Sequence, residues 1–396
     1  MAEPFRILTL NSISPLGLQR FPAGSYRVGS DIREPDAILV RSQDLHKIEI
    51  PRSIKAIGRA GAGTNNIPVA EMSRRGVPVF NAPGANANAV KELVIAAMLI
   101  AARNIIPAHD LVEGLQGDDA TLHKLVEDGK KAFVGTELPQ QTLGIIGLGK
   151  IGSIVADAAI KLDMNVVGYD PHITVDAAWS LPSQVRKANS IEEVLKGSDY
   201  VTLHVPLMDS TRNMIDATRV QLMKNGAILL NFARDGLVDD AAVIQALGTG
   251  HLRYYICDFP AQALQGHERV IALPHLGAST REAEDNCAMM VVDQVRKFLE
   301  QGNIANAVNF PDALLEREAP YRVAIANANV PNMLGQISTA MARAGLNIHD
   351  MLNKSRGEMA YTLVDVDSSV PAQLLEELAQ IKGVLSVRYL PPRQNG

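Results

Sequence analysis

Two short segments carry the residues best suited to chemistry. Asn231-Phe232-Ala233-Arg234-Asp235-Gly236 puts an arginine just past a strand-like apolar run, Ala227 to Asn231. Pro274-His275-Leu276-Gly277-Ala278-Ser279-Thr280 puts a histidine just past another, Val270 to Leu273. A guanidinium holds a carboxylate or polarises a carbonyl oxygen, and an imidazole exchanges a proton near neutral pH. Together they suit oxidation of an alcohol that neighbours a carboxylate, provided something takes the hydride. The plainer readings are a solvated cation for Arg234 and a hydrogen-bonded structural residue for His275. Of the other histidines only His204, two residues before Pro206, stands at a comparable strand end.

A hydride acceptor is implied by Thr142 to Asp170, which reads TLGIIGLGKIGSIVADAAIKLDMNVVGYD. An apolar strand pattern leads into Gly147-x-Gly149-x-x-Gly152. A helical pattern follows, and then a second strand that ends at Asp170. The three glycines suit a tight turn, close backbone approach to a pyrophosphate, and tight helix–strand packing. A carboxylate at Asp170 accepts hydrogen bonds from the ribose hydroxyls and repels a 2′-phosphate. Pro171, His172, Ile173 and Thr174 follow it, with no arginine or lysine, so the expected cofactor is NAD rather than NADP.

These residues need strands to present them. Ala37 to Val40, Ala56-Ile57 and Val77 to Phe80 read as strands before the nucleotide motif, with a helix from Asn88 to Arg103. Tyr200 to Val205, Ala227 to Asn231, Tyr254 to Asp258 and Val270 to Leu273 read as strands after it. Strands alternating with helices predict open parallel α/β sheets, which bind ligands beyond the carboxyl ends of their strands. Arg281 to Gln301 is apolar at helical spacing and is expected to return to the first domain. From Tyr321 the order becomes βαββαβ, with strands at 323–325, 348–353, 361–366 and 384–390 and helices at 335–344 and 373–381. That is a small ferredoxin-like unit. The predicted fold class is therefore α/β, with two Rossmann- or flavodoxin-like parallel-sheet domains and a C-terminal ferredoxin-like domain. The expected divisions are 1–100 plus 282–305, 101–281, a linker at 306–320, and 321–392. The tail from Pro391 to Gly396 is expected to be disordered.

Composition excludes several classes. With 396 residues the chain can bury two or three sizeable cores. A net charge of −5, with 47% apolar and 20% charged residues, fits a soluble globular protein and offers no basic block for nucleic acid. The most apolar stretch, Leu93 to Ala102, is too short to span a bilayer. The N-terminus, MAEPFRILTLN, lacks signal-peptide architecture, so a cytoplasmic location is expected. Cys257 and Cys287 have no metal-like spacing, which implies a reducing compartment, no disulfide framework and no metal site. Cys257 reads as a small buried apolar side chain.

Taken together, GRAGAG, NAPGANANAVKEL, GLGKIG with GYD, HVPL, NFARDGLVD and PHLGAST resemble the D-isomer-specific 2-hydroxyacid dehydrogenases over essentially the whole chain. Val308-Asn309-Phe310-Pro311 and a C-terminal unit similar to an ACT regulatory domain resemble the branch that oxidises 3-phospho-D-glycerate to 3-phosphooxypyruvate, the first step of L-serine biosynthesis. That resemblance implies Arg234 at the substrate carboxylate or carbonyl and His275 as the acid/base. Gly147, Gly149, Lys150, Ile151 and Gly152 would hold the pyrophosphate and Asp170 the adenosine ribose. Val205, Phe232, Ala233, Arg234, Asp258, His275, Gly277 and Ala278 would surround the rest of the cofactor. Arg59 would face the substrate phosphate, with the amides of Ala60, Gly61, Ala62 and Gly63 around its carboxylate. Asn327, Asn329 and Asn347 fall where serine-regulated members bind L-serine between paired ACT domains. A homodimer or homotetramer is the expected assembly, and the C-terminal unit is expected to be separable from a core that still binds NAD.

Two positions depart from the family pattern. Members have a glutamate, paired with the histidine, shortly after the strand that ends at Asp258. At that spacing this chain has Ala263, with Gln262 the nearest polar residue and Glu268 farther along. Asn327 stands where the family often has histidine. Other readings of the same residues are the same chemistry on another 2-hydroxy acid, a non-catalytic NAD-sensing protein, and an ACT unit that only oligomerises.

Overall fold

A computed structural model describes residues 3–392. Packing divides them into two units, 3–86 with 281–392, and 87–280. The last four residues of the C-terminal tail lie outside the described residues.

The first unit opens with β1 (Phe5–Leu10), β2 (Tyr26–Gly29), β3 (Ala37–Val40), β4 (Ala56–Arg59) and β5 (Val79–Phe80). They form one all-parallel sheet in the order β2-β1-β3-β4-β5. β3 is buried at every residue, which is why Ala-Ile-Leu-Val runs without polar alternation. The helix Arg281–Gln301 returns to this sheet, as its spacing predicts, and buries Ala288, Val291, Val292, Val295, Phe298 and Leu299. It lies so close to β4 that a Cβ on Gly58 would stand 2.7 Å from Val291 Cγ2.

The second unit holds β6 (Thr142–Ile146), β7 (Asn165–Tyr169), β8 (Arg186–Lys187), β9 (Tyr200–Leu203), β10 (Ala227–Asn231), β11 (Leu252–Cys257) and β12 (Val270–Ala272). All pair in parallel in the order β12-β11-β10-β9-β6-β7-β8. The direction of winding reverses between β6 and β9, the place where such sheets bind nucleotides. The helix Ala87–Ala102 belongs here, packed with Val155, Ala156 and Ala159 of the helix Lys150–Ile160. The chain therefore crosses between units after residue 86, earlier than the expected crossing after 100, because the buried face of this helix matches the nucleotide-fold core. No helix among the described residues is long and apolar enough to cross a membrane.

The C-terminal βαββαβ segment forms as predicted. β13 (Tyr321–Ala328), β14 (Ile348–Arg356), β15 (Met359–Val366) and β16 (Val384–Leu390) make an antiparallel sheet in the order β14-β15-β13-β16. The helices Met333–Arg343 and Ala372–Gln380 cover one face over Val323, Ile325 and Val364. The other face is not free. Ala324, Ala326, Tyr361 and Leu363 share a core with Phe298 and Phe310 of the same unit.

Residues 306–320, expected as a linker, are a packed part of this unit. Phe310 and Ala313 are fully buried, and Asn309 accepts from the Val79 amide (2.9 Å) while donating to Val77 O (2.9 Å). Polar contacts fasten the sheet as well. Tyr361 donates its hydroxyl to Gly302 O (2.7 Å), and the Arg388 guanidinium lies 4.3 Å from the Phe298 ring while donating to Phe298 O and Leu299 O. Both carbonyls sit in the last turn of the helix, where intrahelical donors run out, although Phe298 O also accepts from the Gly302 amide (2.9 Å). Arg322, wholly buried, grips both oxygens of Asp365 (2.5 and 2.7 Å) and also donates to Gln301 O, Leu315 O, Glu316 O and Asn303 Oδ1. Loss of one member of a buried pair costs about 3–5 kcal/mol.

Truncation before Arg317 should therefore unfold or aggregate the first unit, because it strips cover from Phe298 and Phe310. Circular dichroism melts of the truncated and full chains check this. An unchanged melting temperature and a soluble monodisperse product would show that the sheet contributes nothing to the stability of this unit.

Candidate active site

The nucleotide crevice is built by the three glycines. Gly147 has φ 95°, and a Cβ there would lie 2.5 Å from His204 O and 2.8 Å from Val205 Cγ1. A Cβ on Gly152 would collide with the Gly147 carbonyl, so glycine there lets the helix approach the turn. At Gly149 a Cβ would meet nothing within 4 Å, and no side chain caps the helix Lys150–Ile160 that starts beyond it. An uncapped helix N-terminus facing open space suits an anion. Asp170 accepts from the Leu148 amide (2.9 Å) through Oδ2 and from the His172 amide (2.9 Å) through Oδ1. These bonds fix the carboxylate at the end of β7 and leave lone pairs for ribose hydroxyls. His204 follows β9 with Nε2 3.1 Å from Thr202 Oγ1, and burial lowers its pKa to about 3, so it stays neutral. Among the described residues no cluster of three potential metal ligands occurs.

The two chemical residues follow β10 and β12, the strands that flank β11 in the sheet. Asn231, the last residue of β10, is 2% exposed. Its amide donates to Arg234 O (3.0 Å) and its Oδ1 accepts from the Ala233 amide (3.2 Å), which shapes the turn carrying Arg234. The Asn231 carbonyl accepts from the Asp258 amide (3.1 Å). Asp258 is 1% exposed, and its two oxygens accept from the amides of Leu276 and Gly277, each at 2.7 Å. Those bonds tie down the turn carrying His275, whose φ is 56°. Arg234 and His275 are both exposed beyond this framework, while Phe232 and Ala233 are buried beneath it. Asp258, expected at the nicotinamide, turns its carboxylate under the histidine loop. The reason is electrostatic: a buried carboxylate without a countercharge needs these amide donors.

In the first unit Arg59 ends β4 and its guanidinium lies over Gly61, whose φ is 154°. The expected ring of four amides is reduced. Ala60 N donates to Val40 O (2.8 Å) and Gly61 N to Arg59 O (2.8 Å), so a ligand can draw only on Ala62 and Gly63. A second arginine, missed in the sequence, joins Arg59. Arg41 follows β3, whose Val40 is paired with Arg59, and is held by Glu284 at 2.7 Å. Burial raises the pKa of the Cys287 thiol, and the charges of both Arg59 and Arg41 oppose that rise. The signal for Arg41 was its place one residue past a buried strand, on the same sheet edge as Arg59.

Residues 95–277 match the family described as D-isomer specific 2-hydroxyacid dehydrogenase, NAD binding domain. The chain is 36% identical to the D-3-phosphoglycerate dehydrogenase of Methanocaldococcus jannaschii over 90% of this chain and 64% of that protein. It therefore spans less than two thirds of that relative's length. It is 34% identical to the D-3-phosphoglycerate dehydrogenase of Haemophilus influenzae over 87% of this chain and 83% of that one. This chain belongs to the D-isomer-specific 2-hydroxyacid dehydrogenases. The dehydrogenase is also similar in structure to a D-lactate dehydrogenase of Treponema pallidum, with TM-score 0.65 and 22% identity over 77% of this chain and 99% of that one. An NAD-bound 3-phosphoglycerate dehydrogenase of Entamoeba histolytica aligns with TM-score 0.60 and 24% identity over 79% of this chain and all of that one. Both likenesses concern the fold.

The glutamate of the family is missing from this dehydrogenase in space as well as in sequence. Gln262 to Leu264 form one 3-10 turn, with Gln262 and Ala263 exposed. Glu268 is 83% exposed and lies 3.6 Å from Arg269. Among the described residues no carboxylate forms an ion pair with His275; the histidines that do are His109 and His349. The aromatic ring of Phe259 lies against His275 instead, with centroids 5.0 Å apart and planes at 69°.

The three asparagines of the C-terminal sheet do not converge within one chain. Asn327 is 1% exposed, donating to Ala328 O (2.8 Å) and accepting from Thr362 Oγ1 (3.3 Å). Asn329 follows β13 and donates to Gly357 O (3.0 Å). Asn347 precedes β14 and donates to Asp367 Oδ2 (2.6 Å). Ala328 pairs with Met359 at one end of β15 and Ile348 with Val366 at the other, so Asn329 and Asn347 lie at opposite ends of the sheet.

Proposed function

We propose that this dehydrogenase oxidises 3-phospho-D-glycerate to 3-phosphooxypyruvate with NAD as the first step of L-serine synthesis. The observation that carries the reading is the 34% identity to the Haemophilus influenzae D-3-phosphoglycerate dehydrogenase, sustained over 83% of that protein. Arg41 and Arg59 support it, since two guanidiniums on one sheet edge suit a dianionic phosphate. Bound NAD supplies the hydride acceptor. Neutral His275 removes the hydroxyl proton as C2 gives up hydride, and Arg234 holds the carboxylate and the carbonyl oxygen that forms. The alcohol loses one proton and one hydride in all, giving the ketone.

Arg41→Ala and Arg59→Ala should each raise KM for 3-phospho-D-glycerate about tenfold or more, and much less for D-lactate, since a charge-assisted bond contributes roughly 1.5–3 kcal/mol. His275→Asn should lower kcat by roughly 10²–10⁴-fold with NADH binding retained. Steady-state NADH formation reads all three. Equal KM changes on both substrates would refute a phosphate site, and normal turnover of His275→Asn would remove it from the mechanism.

We further propose a homo-oligomer regulated by L-serine. Ile105–Glu113 and Asp119–Gly129 are helices with no buried residue, and Ile105, Ile106, Val112, Leu125 and Val126 are exposed along them. Such a surface suits a second copy. The opposite placement of Asn329 and Asn347 means that a ligand bridging them needs two C-terminal sheets. Calorimetric titration of the intact protein should show L-serine binding, with the mass in solution that of a dimer or tetramer. No binding heat would end the serine assignment, and a monomeric mass would end the oligomer.

A further inference from the structure

We infer that Phe259 is a positioning residue for His275, doing through an aromatic edge contact what a paired carboxylate does elsewhere in the family. The inference rests on His275 being the acid/base proposed above. The backbone of His275 is already fixed. Its amide lies 3.1 Å from Asp258 O and 3.0 Å from Leu273 O, and the next two amides donate to the Asp258 carboxylate at 2.7 Å each. Those bonds leave the imidazole free to turn about its own side-chain torsions. An exposed imidazole that samples several orientations spends little time aimed at a substrate hydroxyl.

What meets the imidazole is the Phe259 ring, in a T-shaped contact with centroids 5.0 Å apart. That spacing and the 69° interplanar angle lie in the range where the quadrupole of an aromatic ring favours an edge-to-face partner. Phe259 is itself held firmly. Pro260 follows it and confines its backbone to extended conformations. Cys257 directs its thiol at the Phe259 carbonyl (3.5 Å), and burial raises the Cys257 pKa, so the donor hydrogen is retained. Asp258 stands between them with its carboxylate under the histidine loop. One short segment, 257–260, thus grips the backbone of His275 and presents a wall to its ring. Ala263, where the family pattern puts an acid, is exposed, as is the neighbouring Gln262.

The contact makes two demands that packing alone does not. The ring of Phe259 must be aromatic, and its loss must change the chemical step rather than ligand affinity. Phe259→Leu keeps an apolar side chain and removes the ring; Phe259→Tyr keeps the ring. In the full-length protein, Phe259→Leu should lower kcat about two- to tenfold, the span expected of a single aromatic contact. KM for NAD and for 3-phospho-D-glycerate should stay within about twofold, and Phe259→Tyr should restore kcat. Proton NMR supplies a readout independent of turnover. The imidazole resonances of His275, assigned as those absent in His275→Asn, should move in Phe259→Leu as the ring current is lost, and should return in Phe259→Tyr.

Unmoved resonances in Phe259→Leu would overturn the contact. Moved resonances with unchanged kcat would overturn the positioning role, provided His275→Asn is inactive. If His275→Asn is itself fully active, the function proposed for His275 fails whatever the resonances do, so the two failures are distinguishable. A lower melting temperature with raised KM for both ligands would reduce Phe259 to a packing residue and also overturn the inference.

Discussion

The carboxylate of Asp258 is the constraint on which the chemical edge of the second unit depends. At 1% exposure and without a cationic partner in its bonds, it is anchored by the amides of Leu276 and Gly277. Each bond from an amide to an ionised oxygen contributes more than a neutral one, and each would be costly to leave unmade. The same residue accepts a backbone link from His275 and donates its own amide to Asn231, which in turn shapes the Arg234 turn. The buried carboxylate therefore sets the turn that carries His275, and the backbone of the same residue joins it to the strand that precedes Arg234. The left-handed φ of His275, uncommon outside glycine, persists because the surrounding bonds over-determine it.

A parallel logic holds the first unit together. The helix Arg281–Gln301 buries one stripe in the five-stranded sheet, its last turn receives Arg388 at the Phe298 and Leu299 carbonyls, and Gly302 just beyond it receives the Tyr361 hydroxyl. Arg322 and Asp365 close the remaining polar gap, with the carbonyls of Gln301, Leu315 and Glu316 engaged. A ferredoxin-like sheet with one open face would ordinarily seek a partner for it. Here that face is spent inside the chain. Glu284, which holds Arg41, lies on the same helix as Phe298, whose carbonyl accepts from Arg388, so one rigid element spans the two-arginine edge and the C-terminal sheet.

Much of this was legible in the residues. β3, β10, β13 and β15 announce themselves through apolar runs, and Arg281–Gln301 through its helical period, because burial demands those patterns. β8 was not foreseen: Arg186-Lys187 is an exposed two-residue edge strand with no apolar signature. The linker reading of 306–320 failed because charged ends and prolines look alike in a loop that hangs free and in one that packs; the buried Phe310 is what tells them apart. The helix Ala87–Ala102 reads correctly as a helix, but its sequence does not say which of two similar sheets it covers. For the site, the glycine motif and the arginine and histidine turns could be read from type and spacing. Arg41 could be read only as a cation one residue past a buried strand, since its relation to Arg59 runs through strand pairing. The hold of Asp258 on the histidine turn was not foreseen for the same reason, since it runs through bonds between distant segments.

The account rests on the Asp258 carboxylate as the organiser of the histidine turn, and Asp258→Asn tests it most directly. The amide keeps the shape and replaces one acceptor oxygen with a donor, so one loop amide loses its partner. Steady-state kinetics with NAD and 3-phospho-D-glycerate should show kcat reduced about tenfold or more, as for one lost charge-assisted bond, while NADH affinity by fluorescence stays within about twofold. Unchanged kcat in Asp258→Asn would contradict the account, because the histidine turn would then hold its geometry without the carboxylate.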